Sequence, residues 1–258
     1  MLMRACYLLA VAVVLAACAS SSPPAPTPTA PPTAAEIVAA KDRDAADVAL
    51  DDGRQAAQLL AFLDVKPGMT VADLGAGGGY TTEPLARAVG ENGRVYGQNP
   101  KFVLEKFAEQ PWSARLAKPV NKNIVRVDRE FDDPLPAEAK GTVDVVVNVL
   151  FYHDTVWLKT DRAAMNAAIF DALKPGGSYV VVDHSGKDGT GTTETQTLHR
   201  IEQGVVVAEV LGAGFVLAEE AHFLRHAEDT RDWNAAPMAA AERRGASDRF
   251  VLKFKKPG

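Results

Sequence analysis

The chain has 258 residues, and 28 Lys plus Arg against 33 Asp plus Glu leave a formal charge of −5. That balance supplies no concentrated basic face, which excludes a protein built to grip nucleic-acid phosphate. Hydrophobic residues at 47% and charged residues at 24% fit an ordinary folded chain and exclude a disordered one.

Arg4 is the only charge before Glu36, and residues 5–17 form an apolar run. The run falls short of the ~20 residues a bilayer crossing needs, but has the length of a signal-peptide core. It ends in Leu15-Ala16-Ala17-Cys18, which resembles the bacterial lipobox. The resemblance implies a signal peptide over 1–17, cleavage before Cys18 and a lipid on its thiol; a plain secretory signal cut nearby is the alternative. Residues 18–35 then combine that cysteine with six prolines, three serines and interspersed threonines. Such a segment buries no core, and it reads as an extended tether between a membrane surface and the domain over 36–258. An exported protein, periplasmic or at the cell surface, is expected. Cys6 and Cys18 are the only cysteines, so the domain has no disulfide, cysteine nucleophile or cysteine-ligated metal.

Within the domain, Ala57, Leu60, Ala61 and Leu63 mark a helix that stops before Lys66-Pro67-Gly68. Strands are expected at 70–74, 94–98, 123–127, 143–149 and 178–183, with helices between them at 84–89, 102–109 and 163–173. Val143-Asp144-Val145-Val146-Val147 is nearly continuous in β-branched residues, the pattern of a parallel strand covered on both faces. The alternation predicts an α/β fold, a doubly wound Rossmann-like sheet with right-handed crossovers. Leu198, Ile201, Val205, Ala208 and Leu211 recur at helical spacing and predict one helix ending at Gly212 or Gly214. Residues 215–223 and 249–254 then read as an antiparallel strand pair at the sheet edge.

The most informative motif is Asp73-Leu74-Gly75-Ala76-Gly77-Gly78-Gly79-Tyr80. A strand brings a carboxylate to its end and turns through three alternating glycines, which let the backbone turn tightly and approach a ligand. Ligands of open α/β sheets bind at this edge. Tyr80 stands where a dinucleotide fingerprint needs its third glycine, which weighs against an NAD(P)-dependent oxidoreductase. A carboxylate here suits a cationic ligand better than a pyrophosphate.

These residues, with Lys66-Pro67-Gly68 and Leu173-Lys174-Pro175-Gly176-Gly177, resemble the class I S-adenosylmethionine-dependent methyltransferases over 65–258. The resemblance implies a seven-stranded sheet with an antiparallel last pair, S-adenosylmethionine as cofactor, and methyl transfer to a small molecule. It implies that Asp73 holds the methionine moiety and that Gly75, Gly77 and Gly79 pass beneath the cofactor. Gln98 and Asn99 occupy the ribose position, where the family places an acidic residue. Asp128 matches the family's adenine-binding acid, and Asn148 would face the methionine and the transferred methyl. On the acceptor side, Tyr152, His153 and His184 are the candidate catalytic residues, the two histidines as general bases because imidazole titrates near neutrality. His199 and Arg200 sit together on the late helix and read as a solvated face, with a reach into the site as the alternative. His222 and His226 are spaced for a shared helix face but sit in strand-like sequence, so no metal site is expected. The loss of the ribose carboxylate keeps open a second reading, a non-catalytic binding domain on the same fold.

Overall fold

The structure, a computed structural model, describes residues 30–258. The expected signal peptide, Cys18 and the tether as far as residue 29 lie outside the described residues. Helical structure starts two residues ahead of Glu36: Thr33 caps α1 (Ala34–Val38) in a reciprocal box with Glu36. The Glu36 N–H donates to the Thr33 hydroxyl at 3.3 Å and the Thr33 N–H donates to Glu36 Oε2 at 2.8 Å.

The strands are β1 (Thr70–Leu74), β2 (Arg94–Asn99), β3 (Ile124–Asp128), β4 (Val143–Val149), β5 (Leu173–His184), β6 (Val216–Ala221) and β7 (Arg249–Lys255). The remaining helices are α2 (Ala45–Arg54), α3 (Ala56–Leu63), α4 (Thr82–Val89), α5 (Lys101–Val103), α6 (Glu109–Leu116), α7 (Asp154–Trp157), α8 (Arg162–Ala172), α9 (Gln203–Gly212) and α10 (Pro237–Ala240). The seven strands form one sheet in the order β3-β2-β1-β4-β5-β7-β6. Pairing is parallel from β3 through β5, and β7 runs antiparallel to both β5 and β6. The chain leaves β1 toward β2 and β3, then returns to place β4 and β5 on the other side. The carboxyl ends of β1 and β4 therefore form the switch point where such sheets open a crevice.

Each central strand is covered twice, which explains the continuous valine runs. Val71, Val95, Val145, Val147, Val180 and Val182 pack with Leu59, Leu60, Leu63, Leu85 and Val89 from α3 and α4. The alternate residues Ala72, Leu74, Val146, Tyr179 and Val181 pack with Met165, Ile169, Val206 and Val210 from α8 and α9. Side chains on successive strand residues point to opposite faces, so strand parity assigns each site residue to a layer.

Three expectations are corrected by the fold. The helix expected at 102–109 continues to Leu116, through a π-helical segment Leu104–Ala108 and across Pro111. A proline lacks the N–H and crowds the carbonyl four residues back; the wider π turn just upstream accommodates both. The strand expected at 178–183 begins earlier, at Leu173, so Lys174-Pro175-Gly176-Gly177 forms an irregularity within β5, where pairing jumps from Val143↔Leu173 to Val145↔Ser178. The third concerns the late helix, which covers only Gln203–Gly212. Ile201 is instead fully buried in extended chain, bridged to Ser185, and His199 has a left-handed φ of 51°. The apolar spacing of Leu198 and Ile201 thus reflects loop residues tucked inward, and the buried face of α9 is Val206 and Val210.

Candidate active site at the carboxyl edge of the sheet

The loop after β1 lies at the switch point. Gly75, Gly77 and Gly79 adopt φ of 66°, 56° and 85°, which side-chain-bearing residues enter only with strain. Their surroundings differ. A Cβ on Gly77 would meet nothing within 4 Å, so this glycine borders open space. A Cβ on Gly75 would lie 2.5 Å from the Phe151 ring, and one on Gly79 would lie 2.8 Å from the Trp112 ring. Gly79 is therefore demanded by the packing of Trp112, which α6 inserts fully buried beneath the loop. Gly97 on β2 completes the slot, since a Cβ there would stand 2.5 Å from the same indole.

Gln98 and Asn99, both fully buried, fasten the loop from β2. Gln98 Oε1 accepts from the Gly75 N–H at 3.0 Å while its Nε2 donates to the Arg129 carbonyl at 2.6 Å. Asn99 Oδ1 accepts from the Gly77 N–H at 2.8 Å and its Nδ2 donates to the Gly77 carbonyl at 3.1 Å. Asp128 is exposed at the end of β3, with both carboxylate oxygens 2.9 Å from Arg126 Nε. Asn148 is paired in register with Leu74, directly before the loop. It is fully buried, yet neither atom of its side-chain amide has a hydrogen-bond partner. The Tyr179 hydroxyl, likewise buried and without a hydrogen bond of ordinary geometry, lies beside it, so the amide is open to Tyr179 or to a ligand.

Asp73 alternates toward the α3 and α4 layer and is 2% exposed, its Oδ2 accepting from the Thr82 hydroxyl at 2.6 Å. Burial pushes its carboxyl up to about 7, with the Thr82 bond and the charge of Arg54 offsetting only part of that. Between the ordinary value of 3.8 and about 7 the folded chain holds one proton more than the unfolded chain, so this group lowers stability as pH rises through that window. One such proton corresponds to about 1.4 kcal/mol per pH unit. In urea unfolding, the stability of the unaltered chain relative to Asp73→Asn, which keeps a partner for Thr82, is expected to fall from pH 5 to pH 7, whatever slope other groups such as His184 add to both proteins. Equal slopes in the two proteins would remove Asp73 from this account.

The acceptor side is built by the segment after β4 and the end of β5. Leu150 turns the chain with a left-handed φ of 63°. Tyr152 faces the α8 and α9 layer: its hydroxyl donates to Glu209 Oε2 at 2.8 Å and accepts from Asn166 at 2.9 Å. That is the position of a packed structural residue. His153 is 2% exposed. Its backbone N–H donates to Asp183 Oδ2 and its Nδ1–H to Asp183 Oδ1, both at 2.7 Å, while Nε2 lies 3.1 Å from Asp154 Oδ1 and from His199 Nδ1. Burial alone would push this imidazole down, but the Asp183 and Asp154 carboxylates overcome it and hold the pKa at about 10. With Nδ1 turned to Asp183, Nε2 is the nitrogen that faces Asp154 and His199. His184 is driven well below the ordinary range by burial and by the neighbouring charges of His153 and Arg249. It stays neutral and shares a 2.7 Å hydrogen bond with Ser247.

His199 and Arg200 do not form a solvated helix face. His199 joins the His153 cluster, whereas Arg200 is fully buried against Asp229 at 2.8 Å. His222 is largely exposed, and His226 donates its backbone N–H to Asp248 Oδ1 at 2.9 Å. The sequence reading missed Trp112 and the clamp formed by the N-terminal helices. Tyr80 donates to Asp51 Oδ1 at 2.7 Å and lies under the Arg54 guanidinium at 4.3 Å. No local motif announces either feature; the only sequence trace of Trp112 is a glycine at 97 in the middle of a strand.

A family model described as protein-L-isoaspartate(D-aspartate) O-methyltransferase matches residues 46–122. Ribosomal RNA large subunit methyltransferase E of Rhodopseudomonas palustris strain BisB18 is 35% identical over 147 residues, covering 50% of this chain and 55% of that protein. The chain thus spans about half the length of the curated relatives it matches. Among solved structures, a SAM dependent methyltransferase from Aquifex aeolicus superposes with a TM-score of 0.55 at 19% identity, covering 86% of this chain and 98% of that one. An S-adenosylmethionine dependent methyltransferase from Mesorhizobium loti gives 0.51 at 19% identity, covering 80% and 99%. The chain has the class I methyltransferase fold. The seven-stranded sheet with an antiparallel last strand pair at its edge is what the resemblance implies, and the structure adds that β7 lies between β5 and β6. Within this class I fold, the glycine loop, the Asn148 amide and the His153 cluster share the carboxyl edge of β1, β4 and β5.

Proposed function

We propose that this chain is an S-adenosylmethionine-dependent methyltransferase acting on a small-molecule acceptor, exported and held at a membrane through a lipid on Cys18. The observation that carries the reading is the loop at the switch point: a left-handed Gly77 bordering open space beside a buried amide, Asn148, with no partner. S-adenosylmethionine supplies a methyl group on a positively charged sulfur. The 75–79 backbone would lie beneath it, and Asn148 would offer its amide to the methionine end. Gln98, Asn99 and Asp73 hold the loop in shape from below and behind. Transfer of this kind is chiefly alignment of donor and acceptor, so it asks the edge for shape before it asks for a base. The curated relatives carry ribosomal RNA in their names; an acidic chain at −5 favours a small acceptor over a polyanion.

One feature supports the second reading, a binding domain without transfer. The Phe151 ring packs against Gly75, where a cofactor would pass, and the amides at 98 and 99 are spent on the loop. Calorimetry with S-adenosylhomocysteine separates the two. The full chain is expected to bind with micromolar or tighter Kd, and Phe151→Ala is expected to tighten it about tenfold by uncovering the loop. Absence of binding in both proteins would overturn the methyltransferase reading. Binding without transfer to any acceptor, in both proteins, would favour the binding domain.

A further inference from the structure

We propose that His153, Asp154 and His199 form a site for a divalent first-row transition-metal ion of the zinc type, on the acceptor side of the sheet's carboxyl edge. His153 Nε2 stands 3.1 Å from Asp154 Oδ1 and 3.1 Å from His199 Nδ1, and the remaining edge, Asp154 Oδ1 to His199 Nδ1, is 3.4 Å. Ligand atoms that each lie ~2.0–2.1 Å from one tetrahedral zinc are about 3.3 Å apart. The three edges have the length that a shared cation imposes. Two imidazole nitrogens and a carboxylate oxygen are also a donor set that selects such metals over magnesium or calcium, which prefer all-oxygen shells.

The surroundings orient each donor. Asp183 accepts from His153 Nδ1–H at 2.7 Å, so Nε2 is the nitrogen left to face the cluster; a carboxylate behind the histidine is the usual outer partner of a metal-binding imidazole. Trp157 Nε1 donates to Asp154 Oδ1 at 2.8 Å and fixes that carboxylate. His199 reaches the cluster from a distant loop, through a left-handed φ of 51° that few side-chain-bearing residues adopt, histidine more readily than most. The loop is pinned on both sides of it, the Ile201 N–H donating to the His184 carbonyl at 3.0 Å and the Ala235 N–H to the Leu198 carbonyl at 2.9 Å. Backbone strain held in place by its surroundings gathers at functional sites. His153 is buried, but the His199 side chain is 26% exposed, so the cluster opens to solvent on one side. Three protein donors and one open position distinguish a reactive metal site from a closed structural one. Resting on the methyl-transfer reading, the open position would take an oxygen of the methyl acceptor, which points to an acceptor bearing a hydroxyl or carboxylate.

The competing account is a hydrogen-bonded triad around a protonated His153, and metal titration decides between them. The full chain, freed of metal by chelator and with no cofactor present, is titrated with Co2+ while its visible absorption is followed, then challenged with Zn2+. One equivalent of Co2+ is expected to bind with the d–d bands of a nitrogen- and oxygen-ligated ion, and Zn2+ to displace it. His199→Ala and Asp154→Asn are each expected to weaken binding about 100-fold or more, beyond the range of outer-shell partners. Both variants should retain a cooperative thermal transition. His222→Ala, altering an exposed histidine outside the cluster, should bind like the unaltered chain. No stoichiometric binding, undiminished binding in His199→Ala and Asp154→Asn, or loss in His222→Ala alone would overturn the site. S-adenosylhomocysteine affinity, measured without metal, tests the methyltransferase reading separately.

Discussion

Trp112→Ala is expected to lose about 3–5 kcal/mol of stability, the range for deleting a large buried aromatic. The indole is fully buried and fills a slot made by two glycines, at 79 in the loop and at 97 in β2. Its removal leaves a cavity directly beneath the segment that is the candidate ligand cradle. The loop is otherwise held by the amides of Gln98 and Asn99, so its conformation should loosen along with the global loss. The converse substitution, Gly97→Ala, pushes a methyl group to 2.5 Å from the ring and is expected to cost about 1–3 kcal/mol through overpacking. Urea unfolding followed by far-UV circular dichroism measures both. A loss below 1 kcal/mol in Trp112→Ala would show that the slot collapses freely and that the two glycines answer to something else.

Glu83→Ala should be comparably damaging, at about 3–5 kcal/mol, because it strips a buried charge network of its centre. The Glu83 carboxylate is fully buried and receives Arg115 at 2.7 Å, Arg87 at 2.8 Å, Lys118 at 3.3 Å and the Asn121 amide at 3.4 Å. Arg115 also binds Asp47 at 2.6 Å, and Lys118 binds Asp44 at 2.8 Å, so the same network fastens α2 to the α6 layer. Burial opposes ionisation of Glu83, but Arg115 and Arg87 overcome it and hold the carboxyl at about 2, well below the ordinary 4.5. The folded pKa is depressed, so this stabilisation is complete above pH 4.5 and fades only as pH falls toward 2. Glu83→Ala should therefore lose most of its penalty in strongly acidic solution. A penalty that is the same at pH 3 and pH 7 would assign the loss to packing alone.

Most of the architecture was legible because its signals are local. Strands covered on both faces read as nearly continuous apolar runs, and the β-branched run at 143–147 announced itself. Glycines at 75, 77 and 79 reported a backbone that turns tightly, and a helix at 84–89 followed it. The misreadings share one cause. The continuation of α5 into α6 depends on a π turn that absorbs Pro111, and the loss of helix at 198–201 depends on Ile201 being drawn into the core beside Ser185. Both are decided by neighbours remote in sequence, which override local propensity.

The site divides in the same way. By itself the amino-acid sequence determined which residues arrive at the carboxyl edge, since strand ends and the turns after them follow from hydropathy and glycine spacing. Only the tertiary structure decided what those residues do there. Strand parity turned Asp73 away into the α4 layer, and Gln98 and Asn99 were committed to the loop backbone. Gly79 proved to answer to an indole 33 positions away. His153, read as one base among several, was placed between two carboxylates and a second histidine that reaches it from residue 199. Hydrogen bonds and charge pairs act over 3 or 4 Å in space whatever their separation along the chain, and periodicity carries no record of them.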